Sequence, residues 1–183
     1  MLKKNLVILS FLTLIGFSSC EHDESKTVSF AYQQNFDFDN GPFNYNTIIE
    51  NPSAHSGNKI CRVDSGFNYG FGYSYFLPDS LFGKEIVVNL DAWVRSGDLT
   101  NNADIIMSAF VGDSCKLWLG FGAKEFIKEP NKWTNVKGRF NLSPAITSAE
   151  NLKITVMAHN IDAKSYFDVD DLKIMFTEED ENN

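Results

Sequence analysis

Catalysis asks for a nucleophile, a base and a group that orients it, or for a metal with an open coordination position. The histidines of this chain, His22, His55 and His159, are scattered, and no G-x-S-x-G or His-x-x-x-His pattern occurs. Paired carboxylates can serve as a glycosidase acid and nucleophile. Asp170 and Asp171 are adjacent, however, in a segment that reads as a strand, where neighbours are expected to face opposite ways. The chemistry on offer is therefore binding, and its residues are rings. In Gly66 to Leu77, GFNYGFGYSYFL, the rings Phe67, Tyr69, Phe71, Tyr73 and Tyr75 fall on every second position, with small residues between. That is a strand's period, and it puts every ring on one face. Such a row is either a core strand or a floor on which flat ligands such as sugars stack.

Sugar recognition needs exposed rings beside side chains that satisfy hydroxyls. Tyr69, Tyr73 and Tyr75 are the candidates in the stripe, and Tyr45 lies on a loop. In Lys116 to Phe121, Leu117, Leu119 and Phe121 share one face, while Trp118 takes the other with Lys116 and Gly120. Trp118 then either looks outward or packs beneath a loop. Trp93 shares its face with Asp91 and Arg95, so Trp93 and Arg95 form a second candidate pair looking into a groove. Trp133, at the start of a strand, reads as a structural plug, His159 as a satisfied imidazole and His55 as part of a turn.

The elements that must position these residues are almost all strands. Alternating segments run over 27–33, 59–63, 66–77, 85–95, 105–111, 116–122, 133–142, 152–159 and 166–176, separated by clusters of Gly, Pro, Asn and Asp. One short helical turn is expected within 143–150, with Pro144 near its start. About ten strands with no helical layer predict an antiparallel β-sandwich of jelly-roll type, one domain over residues 27–176. Residues 177–183, TEEDENN, read as a disordered acidic tail. Cys61 and Cys115 either pair in an oxidising compartment or leave Cys61 as a small core residue.

The first residues have another purpose. Lys3 and Lys4 precede an apolar run from Leu6 to Phe17, and Ser18 and Ser19 precede Cys20. Cations, a short apolar core and small residues make a secretory signal over 1–19, too short to span a bilayer. It resembles a bacterial lipoprotein signal, although Phe17 stands where Leu is usual three residues before the cysteine. The resemblance implies lipidation at Cys20, the alternative being ordinary cleavage with a plain thiol. Residues 20–26 form an acidic tether similar to the tag that sends some lipoproteins to the outer face of the outer membrane. With Lys3 and Lys4 removed, 14 Lys+Arg stand against 24 Asp+Glu, a net charge of −10, which argues against nucleic acid and anionic headgroups as partners.

Four landmarks follow one order: Phe38-Asp39-Asn40-Gly41, Ala54-His55-Ser56-Gly57, WTNVKGRF from Trp133 to Phe140, and Tyr166-Phe167-Asp168-Val169-Asp170-Asp171-Leu172. That order, spanning residues 36–176, resembles the jelly-roll carbohydrate-binding modules of xylanases and cellulases, which have the galactose-binding-like fold. Asp39 stands where Glu is usual there, and the Trp often found after Asn-Gly is missing, Phe43 and Tyr45 being the nearest rings. The resemblance implies a non-catalytic module that binds a polysaccharide or other glycan, and one structural calcium ion. By position the calcium ligands would be Asp39, Ser56 and Asp170, with Asp37 and Asp171 beside them. An alternative partner for the same sandwich is a protein of an outer-membrane complex.

Overall fold

Alternation of apolar and polar residues produces ten strands among the described residues. They are β1 (Ala31–Phe36), β2 (Ile48–Glu50), β3 (Lys59–Val63), β4 (Tyr69–Phe76), β5 (Ile86–Ser96), β6 (Ala103–Val111), β7 (Ser114–Gly120), β8 (Thr134–Leu142), β9 (Leu152–Asn160) and β10 (Phe167–Glu178). A single turn of helix, α1 (Pro144–Thr147), falls inside the stretch where one was expected. The computed structural model describes residues 31–40, 45–162 and 164–179. The signal, Cys20, the tether, Gly41, Phe43 and residues 180–183 lie outside the described residues.

Every pairing is antiparallel. The larger sheet runs β2-β3-β10-β5-β8, and the smaller one β4-β9-β6-β7. At 12 residues β10 is long enough for two strands to share one of its edges. β3 pairs with Phe167–Val169, and β1 with Leu172–Thr177. From β3 onward the chain changes sheet at every connection except the β6–β7 hairpin, which is the winding of a jelly roll.

The core lies between the sheets. Ile86, Val88, Leu90, Ala92 and Val94 of β5 face Ile105, Met107 and Ala109 of β6 and Leu152, Ile154, Val156 and Ala158 of β9 within one buried cluster. Each of the larger side chains among them, Val, Leu, Ile or Met, contributes about 1.5–3 kcal/mol by leaving water.

Three expectations change. The first strand continues through Phe36, three residues past its expected end, and β2 is too short for periodicity to reveal. Thr177 and Glu178, assigned to the tail, complete β10; Glu178 pairs with Ile86 and meets Lys84 Nζ at 2.6 Å. Of the two alternatives for the cysteines, the unpaired one holds, and both are free. Cys61 is buried in the core, where its Sγ accepts a hydrogen bond from Phe71 N and burial pushes the thiol up to about 12, whereas Cys115 is exposed on β7.

Candidate functional site

The ring stripe does not stay on one face. A register shift against β9 between Tyr69 and Gly72 inserts a residue into β4. Gly70 and Phe71 both turn inward as a result. A Cβ on Gly70 would lie 2.8 Å from both Cys61 Sγ and Val63 Cγ1, and Phe71 packs on Phe36 and Phe38. Past the shift, Tyr73 and Tyr75 point into the sandwich. The Tyr73 and Tyr32 hydroxyls share a 2.7 Å hydrogen bond, and Tyr75 stacks on Tyr32 with centroids 4.6 Å apart. Tyr73 and Tyr75, expected as ligand platforms, thus pack partly buried against the core.

Tyr69 emerges on the opposite side, 54% exposed, on the outer face of the smaller sheet. The register places it across from His159, and the two rings stack at 4.7 Å with 27° between planes. Trp118, 42% exposed, completes the group. It stands 88° to both, its centroid 6.4 Å from Tyr69 and 6.0 Å from His159. Of the two alternatives for Trp118, the outward one holds. Tyr69 and Trp118 were expected in a site; His159 was not. Its imidazole is held below its ordinary range mainly by burial, with Asp104 pulling the other way.

Three aromatic residues from β4, β9 and β7 thus make a corner with two open directions. The Tyr hydroxyl, indole N–H and imidazole give it polar edges, so it can stack on an apolar ring face and hydrogen-bond its rim.

The second expected pair, Trp93 and Arg95, is occupied. On the outer face of the larger sheet, Arg62, Asp168 and Arg95 stand in one row across β3, β10 and β5. Arg62 donates Nε and Nη2 to Asp168 at 2.7 and 2.9 Å, and Arg95 donates Nη2 to it at 2.7 Å. Arg95 Nη1 and Trp133 Nε1 both donate to Ser53 O, and the His55 ring lies on Trp93 at 3.9 Å. Trp93 and Arg95 therefore fasten the β2–β3 loop to the sheet instead of opening a groove.

The same loop meets Asp170 and Asp171, which do not face opposite ways as a regular strand requires. A register shift between Asp170 and Lys173 and a left-handed backbone at Asp171 (φ 46°) bring both carboxylates to one turn. Asp170 Oδ2 accepts His55 N and Ser56 N at 2.9 and 3.1 Å. Ser56 Oγ donates to Asp171 Oδ1, and His55 Nδ1 lies 2.6 Å from Asp171 Oδ2. Serine and histidine here both bind the aspartate, without the serine–histidine hydrogen bond that a nucleophilic triad needs.

Calcium wants six to eight oxygens, whereas the carboxylates expected to bind it face N–H groups. Asp39 Oδ1 accepts Asn58 N and Lys59 N at 2.8 and 3.1 Å, and Asp37 turns to Asn40. Among the described residues no group of three or more His, Cys, Asp or Glu stands close enough to hold a metal. Asp37, Asp39, Asp170 and Asp171 thus turn oxygens to donors within the protein, Ser56 among them, and Asp39 and Asp170 clip the 55–59 turn from its two ends. Gly57 is required in that turn, with φ 55° and an added Cβ only 1.5 Å from Asp39 Oδ2. Burial pushes Asp170 up to about 6, with the Asp171 charge adding to the rise and the backbone N–H groups of Ser56, Asp171 and His55 opposing it.

No protein-family model matches the chain, and no curated protein sequence does. Among solved structures it is similar to a family 16 carbohydrate-binding module, with 15% identity, 72% of this chain and 86% of that one covered, and a TM-score of 0.42. It is similar also to the CBM22-1 xylan-binding domain from Paenibacillus barcinonensis, with 12% identity, 84% and 96% covered, and a TM-score of 0.45. A Stig cyclase from Fischerella sp. TAU gives 11% identity, 90% and 95% covered, and a TM-score of 0.43. The neighbours are mostly carbohydrate-binding modules.

Proposed function

We propose that this chain is a non-catalytic glycan-binding module, tethered through a lipid on Cys20 and displayed on the outer membrane. The observation that supports it is the corner of Tyr69, His159 and Trp118, in which the Tyr69 and Trp118 rings stay open to solvent although rings of this size are mostly buried. Stacking on a ring of this kind is worth about 1–3 kcal/mol if it resembles that between aromatic side chains and bases. The purified chain should retain a related set of polysaccharides on a glycan array, and Trp118→Ala with Tyr69→Ala should abolish retention without lowering the melting temperature. Full retention by the double variant would remove the corner as the site. The anchor rests on the signal and Cys20; Cys20→Ala should move the protein from the membrane fraction to the soluble one.

A second reading has its own observation. Phe67 and Ile161 are exposed close to the corner, since Asn160 N donates to Asn68 O. Together with Tyr69 and Trp118 they could anchor an outer-membrane protein partner. Recovery of one defined protein from native membranes, lost in the same double variant, would favour that reading over a glycan.

A further inference from the structure

The corner has a carboxylate beside its rings. Asp104 of β6 lies directly opposite His159 of β9. Its side chain leans over Gly120, where an added Cβ would sit 2.4 Å from Oδ2, and Gly120 is two residues from Trp118 on β7. Ile105 N, Gly122 N and Ala123 N each donate to this carboxylate at 2.8 Å and fix its position. Gly120 is thus a glycine because Asp104 occupies the space a side chain would take. The cations close in sequence do not neutralise Asp104. Lys124 donates to Asn102 Oδ1, and Lys116 lies on the far side of Trp118 from Gly120. No ion pair to Asp104 forms among the described residues.

Two exposed rings at right angles with an anchored carboxylate beside them suit a cation. The faces of Trp and Tyr are negative and attract ammonium groups. Burial lowers the neighbouring His159, against the pull of Asp104, which disfavours an opposing charge there. The whole chain carries a net charge of −8, which draws cations and repels acidic polymers.

We infer that the glycan taken at this corner carries a protonated amine, as a glucosamine residue does, with the ammonium held beside Asp104 and the sugar stacked on Trp118 and Tyr69. This rests on the glycan-binding reading and narrows it to amino sugars. Acetylating the amine removes the charge and, with it, the reason for Asp104 to be there.

Titration calorimetry of the full chain with a glucosamine oligosaccharide, and with its N-acetylated counterpart of equal length, tests the inference. The amine form should bind about five- to tenfold more tightly. That preference should vanish in Asp104→Asn and shrink as salt is raised, while the N-acetylated sugar is indifferent to both. Because Asp104 also holds Gly122 and Ala123, the salt series on the unaltered chain provides the test if Asp104→Asn does not fold. Equal affinity for the two sugars, or a preference insensitive to both Asp104→Asn and salt, overturns the inference. If the array retains neutral polysaccharides and neither amino-sugar form binds, the inference falls and the glycan reading stands. If nothing binds, both fall.

Discussion

Asp168 is the polar residue on which the larger sheet depends most. It is fully buried, and it takes donors from Arg62, 24% exposed at its side chain, and from Arg95, only 8% exposed. In Asp168→Ala, Arg62 can turn to solvent. Arg95 cannot, because it sits against Trp133 at 4.5 Å and is tied to Ser53 O. Its charge would be left buried and unpaired, a loss of about 3–5 kcal/mol. Domains of this kind are stable by only about 5–15 kcal/mol, so the loss is a large fraction of the total. With a urea m-value of about 2 kcal/mol/M, a loss of about 4 kcal/mol moves the midpoint by about 2 M. Removing both ends, in Asp168→Leu with Arg95→Met, should recover most of it, since a well-packed apolar pair is often as stable as the ions it replaces. Urea unfolding followed by Trp fluorescence reads all three proteins. A shift below about 0.5 M for Asp168→Ala would mean that water reaches Arg95, and the argument from burial would fail.

Gly70→Ala drives a methyl into Cys61 and Val63 at 2.8 Å and should cost about 1–3 kcal/mol; a neutral urea midpoint would mean that the bulge relaxes freely. Asp170 binds its proton more tightly folded than unfolded, so the stability it adds is fully present below its ordinary value and is lost as pH rises through about 6. Compared with the unaltered chain, Asp170→Asn should therefore gain stability between about pH 4 and about pH 7, by at most about 3 kcal/mol, and a pH-independent difference would refute this. EDTA should leave the melting temperature of the purified chain unchanged, because the clip around residues 55–59 is made of hydrogen bonds; a clear drop would restore calcium. A thiol reagent should label Cys115 rapidly and Cys61 only on unfolding, as read by peptide mass; fast labelling of Cys61 would contradict its burial.

The strands could be read from alternation because one buried face per strand leaves a period of two in the sequence, as in Leu152 to Asn160. What could not be read lies at the irregularities. One inserted residue in β4 sends Tyr69 out while Tyr73 and Tyr75 go in, and one in β10 aims Asp170 and Asp171 at the same turn. Nothing local marks either shift except Gly70, whose small size serves contacts with distant strands. Trp93 shows the opposite limit. Its neighbours on β5 describe a residue facing outward correctly, but the loop that covers it comes from some 40 positions earlier. His159 and Asp104 were missed because their role depends on cross-strand register, which joins residues 69, 104, 118 and 159.

The shared edge of β10 bears on how much the order of writing the chain matters. Ala31 and Thr177 are direct partners, one in the first described strand and one in the last, and antiparallel partners lie about 5 Å apart. A linker of about three residues would span that gap and close the polypeptide into a ring. The ring could be reopened between Val111 and Ser114, where Gly112 has open space around it. All strand pairings would survive, β7 and β6 would become the new first and last elements, and the Trp118 corner would sit next to a terminus. The pairings thus specify which strands lie side by side and not where along them the polypeptide starts.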